Sequence, residues 1–571
     1  MPLSVILWCG WGKSLQISTE LKNSSSPPPD GFDMMPLMSA VSPMSPTSEN
    51  STHPEEQQGT QVYAIHGADP EVQAYAMAKY SRSALSMKES LTELNAQKAE
   101  KFLNTFYFQY GHRSIADLAH IAMAIESLSL LAATIVVDET RWDGQERSTR
   151  YQNFRKSGYF TPDFGSDAEA SKLYRETIDF LFSEYEHFSE QSFQYLASQT
   201  PRPDDMKLDA YERTLRARAF DLTRYILPLA TNTSLGQIVN ARTLETQVSR
   251  LLSHTHKEVR ELGQKLKDAA RNPSHNVNQA AMRELVAEIR EADPQLAERA
   301  EQQLLREVRV SPTLVKYAEP NTYEIETRRE LQQAATDLMK GAAIEPSKEV
   351  DLLEPDPLEI ELATTLLYQG SHYPYRQLRR AVESLSAQQR NEFIDLGLRH
   401  RGSHDELSRA FHSGQQFRFD ILMDIGAYRD LHRHRRCIQI HQPYTALHGF
   451  DMPKEFAPAG LSSRYESLMH RAAHAYKALG ARPLSAGQGG KQENEENAQY
   501  VLPLAYRKRT LFKMDFAEVV YISEIRTTPQ GHFSYRNIAW QMYDELAKKH
   551  PSLRPYFRVC DVHEPVDLLK R

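Results

Sequence analysis

The stretch Arg224–Ala230, with the sequence RYILPLA, recurs as QYVLPLA at Gln499–Ala505. A second motif, GHRS at Gly111–Ser114, has a counterpart, HRGS, at His400–Ser403, in the same order along the chain. One short match can arise by chance, but two matches in the same order indicate an internal duplication. The sequence therefore predicts two tandem units that divide near Arg309.

Helical periodicity dominates both predicted units. Apolar residues recur at steps of three and four over Ser171–Leu196 and Thr243–Ala270, which predicts long helices, and Ala281–Val308 predicts a charged helix. Strands are fewer, and we predict them at Gln61–His66, Ser234–Asn240 and Leu511–Asp515. The sequence thus predicts a helix-rich α+β fold, in which each unit packs a small sheet against long helices.

The N-terminal region differs in composition from the rest of the chain. Residues 23–60 are rich in Ser, Pro, Asn, Glu and Gln, which predicts a disordered arm over residues 1–60. We expect the first unit to cover residues 61–308 and the second to cover residues 309–571. The apolar patch Leu3–Cys9 has no basic residues before it and makes a poor secretory signal.

Composition excludes several classes of protein. The 68 Lys and Arg residues nearly balance the 75 Asp and Glu residues, which argues against a generically cationic nucleic-acid coat. Three cysteines without a C-x-x-C pair argue against a disulfide framework or a thiolate zinc site, and favour a reducing cytoplasm. The apolar run Ser127–Val137 is far shorter than the roughly 20 residues that span a bilayer, so we predict a buried helix there and no membrane contact.

Two segments concentrate groups that could bind an anion. His432–Arg436 (HRHRR) places cationic and titratable side chains in succession, and these repel one another unless an anion such as a phosphate or a flavin lies nearby. A solvated basic turn and an RNA contact are the other interpretations, although no aromatic residues that could stack bases stand between the cations. Gln145–Tyr151 (QERSTRY) carries hydroxyl and guanidinium donors that suit a phosphomonoester, or else forms an ordinary polar turn. Neither a Gly-rich phosphate loop nor an H-E-x-x-H or G-x-S-x-G motif occurs.

These segments resemble the motifs of the flavin-dependent thymidylate synthases, the ThyX family, whose signature is R-H-R-x(7)-S-x-R. In the C-terminal unit, Phe417–Phe419 and Arg429–Arg435 are similar to the family's F-x-F and R-Q-x-x-R-H-R, with Asp430 in place of Gln. In the N-terminal unit the resemblance covers four segments: Gln145–Tyr151, Arg224–Leu229 (R-x-x-L-P-L), Asn240–Leu244 (N-x-R-x-L) and Ser253–Glu258 (S-H-A-Q-W-E).

The two units depart from the family pattern in different places. At the R-H-R position the N-terminal unit has about Val137–Glu139, where acids replace the cations. The C-terminal unit has Pro443–Thr445 at the S-x-R position, and Gln499 and Ala517 replace two further arginines, but it keeps Arg509. These complementary losses predict one composite site, with dUMP held by the N-terminal unit and FAD by the C-terminal unit.

The resemblance implies an enzyme that methylates dUMP to dTMP, with methylenetetrahydrofolate as carbon source, NADPH as reductant and FAD as the carrier between them. In the family, different subunits of a tetramer complete each active site, so the expected assembly is a homodimer of tandem chains, in the cytoplasm. The alternative hypothesis is a catalytically inactive homologue that binds flavin or nucleotides, or serves as a scaffold.

The resemblance also assigns residues to each ligand. The expected dUMP ligands are Glu146, Ser148, Arg150, Arg224 and Arg242, of which Arg242 and Ser148 are the predicted catalytic residues. The expected FAD ligands are His400, Arg433, His434, Arg435 and Arg509. His112 occupies the same family position in the N-terminal unit as His400 does in the C-terminal unit.

Overall fold

The computed structural model describes residues 67–79, 96–104, 113–154, 157–402, 405, 407–482 and 491–569, which belong to one compact unit. The predicted arm over residues 1–60, the predicted strand Gln61–His66 and His112 lie outside the described residues. Within the described ranges, no helix is both long and apolar enough to cross a membrane.

The N-terminal half contains a three-stranded antiparallel sheet among helices. Its helices are α1 (Pro70–Lys79), α2 (Ala96–Leu103), α3 (Leu130–Val136), α4 (Ala168–Gln199), α5 (Leu208–Thr223), α6 (Ala241–Leu252), α7 (Lys257–Arg271), α8 (Gln279–Ala292) and α9 (Pro294–Leu304). Its strands are β1 (His120–Ser129), β2 (Asp143–Glu146) and β3 (Asn232–Asn240), in the spatial order β1-β3-β2.

The C-terminal half contains a four-stranded antiparallel sheet. Its helices are α10 (Thr322–Leu338), α11 (Leu358–Tyr368), α12 (Tyr375–Glu383), α13 (Ala387–Leu398), α14 (Ile425–Leu431), α15 (Ser462–Gly480), α16 (Lys491–Gln499), α17 (Phe516–Thr527) and α18 (Phe533–Lys549). Its strands are β4 (Val350–Leu353), β5 (Phe417–Asp424), β6 (Ile438–His441) and β7 (Arg507–Met514), in the spatial order β4-β5-β7-β6. The predicted helix-rich α+β fold with a small sheet in each half is confirmed.

Individual predicted elements agree with the structure where one face of the element is buried. The predicted helix Ser171–Leu196 lies inside α4, and the predicted strand Ser234–Asn240 lies inside β3. The predicted strand Leu511–Asp515 overlaps β7, but Asp515 is already the N-cap of α17 and accepts a hydrogen bond from Glu518 N.

Three predicted helices have different bounds in the structure. The segment Thr243–Ala270 forms two helices, because Ser253 ends α6 by donating its hydroxyl to Ser249 O, a local bond that competes with helix continuation. The segment Ala281–Val308 also divides, because Pro294 cannot continue α8 and instead occupies the first turn of α9. The predicted helix Ser127–Val137 begins only at Leu130, because β1 runs to Ser129.

The duplicated motifs pair with each other across the junction between the halves. Leu229 N donates to Leu502 O at 2.9 Å, and Leu504 N donates to Leu227 O at 3.0 Å. Pro228 forms an antiparallel bridge with Pro503 between these two bonds. The halves therefore meet about a local pseudo-twofold axis, so that one chain contains the pairing of two similar units.

A pair of buried acids shows how far the correspondence between the halves extends. In the N-terminal half, Glu258 accepts hydrogen bonds from Ser129 Oγ at 2.6 Å and from Tyr500 OH, of the other half, at 2.8 Å. In the C-terminal half the chemistry is exchanged, because Asp424 replaces the serine and accepts from Ser534 Oγ, which replaces the glutamate. Burial raises the pKa of Asp424 to about 7, with Asp451 adding to the effect.

Candidate functional site

Four arginines from the two halves meet at the junction. Arg150 follows β2 and Arg224 follows α5, whereas Arg429 lies in α14 and Arg433 in the turn after it. We call these four residues the arginine cluster. Three carboxylates join them: Glu146, Asp221 and Asp430. The cluster is thus assembled from both halves, as the complementary motif losses predicted.

Arg224 is the most deeply buried member of the cluster, with 2% of its surface exposed. Its Nη1 donates to Asp430 Oδ2 at 2.9 Å, whereas its Nε and Nη2 have no partner among the described residues. Arg429 also has a buried Nε without a partner there, while its Nη2 bonds Glu146. Buried donors without acceptors are costly, so these nitrogen atoms point to an acceptor that the chain itself does not supply.

Arg150 is held in place by groups of both halves. Its Nε donates to Asp221 Oδ1 at 2.7 Å, its Nη1 to Tyr535 OH at 3.0 Å and its Nη2 to Gln530 O at 2.9 Å. The Ser148 hydroxyl accepts from Arg150 N at 3.2 Å, which places the predicted S-x-R pair next to each other. The guanidinium group is therefore fixed in orientation before any ligand binds.

Electrostatics link these residues into one site. Burial opposes ionisation of Asp430, but Arg224, Arg150 and Arg433 hold its pKa below the usual range. Arg433 Nη2 lies 4.0 Å from Glu146 Oε2, and its side chain is 41% exposed. Arg433 is therefore the cluster member that a ligand can reach most easily.

The rest of the predicted R-H-R segment lies against both halves. Arg435 stacks on the ring of Trp142, with its guanidinium carbon 4.6 Å from the centroid. His434 turns instead towards its own half, where it accepts from Arg526 Nε at 2.7 Å and lies 3.7 Å from a carboxylate oxygen of Glu518. Burial lowers the pKa of His434. Thus Arg433 and Arg435 face the N-terminal half and His434 does not.

The structure gives three of the predicted ligands other surroundings. Arg242 Nη1 lies 3.5 Å from a carboxylate oxygen of Asp117 at the start of α6, and His400 Nε2 lies 3.0 Å from Glu330. Arg509 is buried in the C-terminal sheet, where it donates to Asp420 at 2.9 Å. The structure therefore brings together Glu146, Ser148, Arg150, Arg224 and Arg433, with Arg435 nearby, and leaves Arg242, His400 and Arg509 in other surroundings.

Sequence reasoning missed several members of the site. Arg429 stands in the quoted motif RDLHRHR and could have been included on that ground. Asp221 lies one helical turn before Arg224, a spacing that places both on one helix face. Tyr535 and Gln530 carry no local signal, because only the tertiary fold brings them to Arg150.

A second pair of titratable groups gives the protein a predicted pH dependence. His372 and His448 have ring centroids 6.2 Å apart, and His372 Nδ1 and His448 Nε2 are buried without a partner among the described residues. Burial lowers the pKa of His372 to about 4, and burial together with Arg509 lowers that of His448 to about 3. Both rings are therefore neutral in the folded chain at pH 7.

We expect acid to destabilise the fold through these rings. Their folded pKa values lie below the unfolded value of about 6.5, so the stability is complete above pH 6.5 and is lost as the pH falls from about 6.5 towards 4. His372→Gln should reduce the loss of unfolding free energy between pH 7 and pH 5 by roughly 1–2 kcal/mol. Urea unfolding at the two pH values measures this loss, and the exposed His474→Gln is the control. An identical loss in both variants would contradict the assignment.

Comparison with known proteins bears on the family. The family model described as thymidylate synthase complementing protein matches residues 64–273 and again residues 352–552. The chain belongs to this family. The two matches correspond to the two halves of the structure, so the chain is a tandem member, and the predicted recognition of a duplicated ThyX-like protein is confirmed.

Relatives of two kinds are found among curated proteins. A "UPF0159 protein" of Chlamydia muridarum is 28% identical over 88% of this chain and 92% of its own length, and one of Thermoplasma acidophilum is 26% identical over 85% and 94%. A "flavin-dependent thymidylate synthase" of Sulfurisphaera tokodaii is 26% identical over 30% of this chain and 66% of its own length. The first two relatives thus match nearly the whole tandem chain, whereas the third matches part of it.

Solved structures show a weaker likeness. A flavin-dependent thymidylate synthase ThyX of Helicobacter pylori, complexed with FAD and dUMP, is 18% identical and covers 35% of this chain and 89% of its own, with a TM-score of 0.22. A UMP/dUMP methylase of Streptomyces cacaoi, bound with 5-Br dUMP, is 15% identical over 35% and 84%, with a TM-score of 0.25.

Proposed function

We propose that the chain is a flavin-dependent thymidylate synthase that converts dUMP to dTMP in a composite site centred on the arginine cluster. The observation that carries the proposal is the pair of buried Arg224 nitrogen atoms without an acceptor, in a cluster to which both halves contribute. Membership of the family supports the same reaction class. Methylenetetrahydrofolate would supply the carbon and NADPH the electrons.

The cluster suits a nucleotide monophosphate. Arg150 is pre-oriented by Asp221, and Ser148 adds a hydroxyl beside it, so the two could bind phosphate oxygens without reorganising. Arg224 could donate from Nε and Nη2 to a phosphate or to a uracil carbonyl oxygen. A fixed cation beside the ring would stabilise the negative charge that develops when uracil C5 acts as a nucleophile. We retain Arg242 as a proposed catalytic residue from the motif resemblance.

The residues that face the cluster from the C-terminal half fit part of FAD. Arg433 is accessible, and Arg435 has a buried Nε without a partner among the described residues, so both could donate to the flavin's phosphates or ring carbonyls. His434 and Arg509 already have partners within their own half and fit less well. When bound, FAD would carry the one-carbon unit and electrons between the folate and the uracil ring.

One contact favours the alternative, an inactive homologue that binds nucleotides or serves as a scaffold. The Asp430 carboxylate, which stands where the family has Gln, already occupies one side of the Arg224 guanidinium. A bound phosphate would have to share Arg224 with this carboxylate, and like charges weaken each other's binding. The alternative thus predicts nucleotide binding without turnover.

Further features of the proposal come from the resemblance and the duplication. We propose that two chains associate, because the dimer would supply four ThyX-like units, and that the chain acts in the cytoplasm. We also propose the unit boundaries 61–308 and 309–571. The family model matches within both of these ranges.

A flavin measurement tests the proposed function. The purified chain should show the visible absorbance of an oxidised flavin, with or without added FAD, and release FAD on denaturation. Arg433→Ala should lower the FAD content at least tenfold, because it removes the accessible cation of the cluster. Arg436→Ala is the matched control, since Arg436 pairs with the exposed Asp515 and not with the cluster. Absence of any flavin spectrum after FAD addition would overturn the proposal.

A further inference from the structure

The duplication creates a second cleft that corresponds to the arginine cluster. Ser129 caps α3 by accepting from Ala132 N at 2.9 Å, and Asp424 caps α14 by accepting from Ala427 N at 2.8 Å. Counting from these equivalent caps, Thr134 corresponds to Arg429 and Asp138 corresponds to Arg433.

The strands fix the other side of the second cleft. Glu146 at the end of β2 lies opposite Leu235, and His441 at the end of β6 lies opposite Thr510, the equivalent position of β7. The next residues also match, because Arg147 N donates to Ser234 O at 2.9 Å and Gln442 N donates to Arg509 O at 3.0 Å. Glu146 therefore corresponds to His441.

The same correspondence locates the counterparts of the two remaining arginines. Counting on from the strand ends, Arg150 corresponds to Thr445. The paired motifs make Arg224 correspond to Gln499. The four arginine positions are thus occupied, in the second cleft, by two threonines, a glutamine and an aspartate: Thr134, Thr445, Gln499 and Asp138.

The charge of the second cleft is already balanced by side chains of the chain. Asp138 accepts from Arg409 and lies 3.1 Å from His432 Nε2, both in the C-terminal half. Burial opposes ionisation of Asp138, but Arg409 and Arg250 hold its pKa well below the usual range. Burial lowers the pKa of His432 to about 3. The acid that replaces Arg433 thus acts as an internal anion across the junction.

Large side chains fill the space beside this ion pair. Lys508 Nζ lies 4.1 Å from the ring centroid of Tyr428 and 4.0 Å from that of Tyr444, and Lys508 is 1% exposed. The N-terminal residues that correspond to Tyr444 and Lys508 are Thr149 and Thr233, which are much smaller. The second cleft therefore contains ring and alkyl volume that the arginine cluster lacks.

We propose that each chain holds one nucleotide site, at the arginine cluster, and that the second cleft is closed by its own side chains. The choice of nucleotide rests on the proposed function, whereas the closure rests on the contacts of Asp138 and Lys508. One chain would then bind one dUMP, although it contains two related junctional clefts.

Calorimetric titration of the full chain with dUMP tests the number of sites. We expect saturation at one dUMP per chain. Arg224→Gln should weaken binding at least tenfold, whereas Gln499→Ala, the change at the corresponding position, should leave affinity and stoichiometry unchanged. Two dUMP per chain, or equal loss in both variants, would overturn the proposal.

Amine labelling tests the closure without nucleotide. With N-hydroxysuccinimidyl acetate and mass spectrometry, Lys508 should remain unmodified in the folded chain while the exposed Lys548 is acetylated. Labelling of Lys508 at the rate of Lys548 would show that the cleft is open and would overturn the proposal. Protection of Lys508 in a chain that binds no dUMP would support the closure and contradict the proposed function.

Discussion

Replacing Asp420 with alanine should lower the free energy of unfolding by about 3–5 kcal/mol, because it leaves a buried charge without its partner. Asp420 is 1% exposed and accepts hydrogen bonds from Tyr368 OH at 2.6 Å, Tyr375 N at 2.8 Å and Arg509 Nη1 at 2.9 Å. Arg509, at 2% exposed, would keep only Ser347 Oγ as a hydrogen-bond acceptor.

Chemical denaturation followed by circular dichroism measures this effect. The control is Asp515→Ala, which removes an ion pair to Arg436 in which both side chains are about two-thirds exposed, so we expect a loss below about 1 kcal/mol. A similar unfolding midpoint for Asp420→Ala and the wild type would contradict the prediction. It would also free Arg509 from a structural duty and strengthen its assignment to the flavin.

Replacing Arg150 with alanine should weaken dUMP binding by roughly 10- to 100-fold. A hydrogen bond from a charged donor is worth about 1.5–3 kcal/mol, and Arg150 is already oriented by Asp221 and Tyr535, so little is lost in ordering it. Thr445→Ala, at the corresponding position of the second cleft, is the matched control and should bind dUMP as the wild type does. Thermal melting of both variants separates loss of affinity from loss of fold.

The overall fold was largely predictable because its signals are repeated and local. The RYILPLA and QYVLPLA motifs predicted two units, and the structure shows these motifs paired across the junction at Pro228 and Pro503. Apolar periodicity predicted α4 over nearly its whole length. The breaks before α7 and α9 were missed because single polar or proline residues end a helix without changing the periodicity around it.

The site was predictable in its membership more than in its contacts. Motif resemblance named Arg150, Arg224 and Arg433, and the structure brings these three together. The Arg224–Asp430 ion pair joins residues that are far apart in sequence, and local patterns do not encode such pairings. For the same reason the sequence did not indicate that Asp138, an apparent loss of function in the N-terminal half, would bind His432 of the other half.

Titration of the Arg150→Ala and Arg433→Ala chains with dUMP, with FAD content measured on the same samples, tests most directly whether the two halves share one site. Arg150→Ala should lose dUMP affinity at least tenfold and keep its FAD, because its contacts lie on the nucleotide side of the arginine cluster. Arg433→Ala should lose FAD first and dUMP affinity only in part. Unchanged dUMP affinity in Arg150→Ala, or an equal loss of both ligands in both variants, would contradict a site shared between the halves.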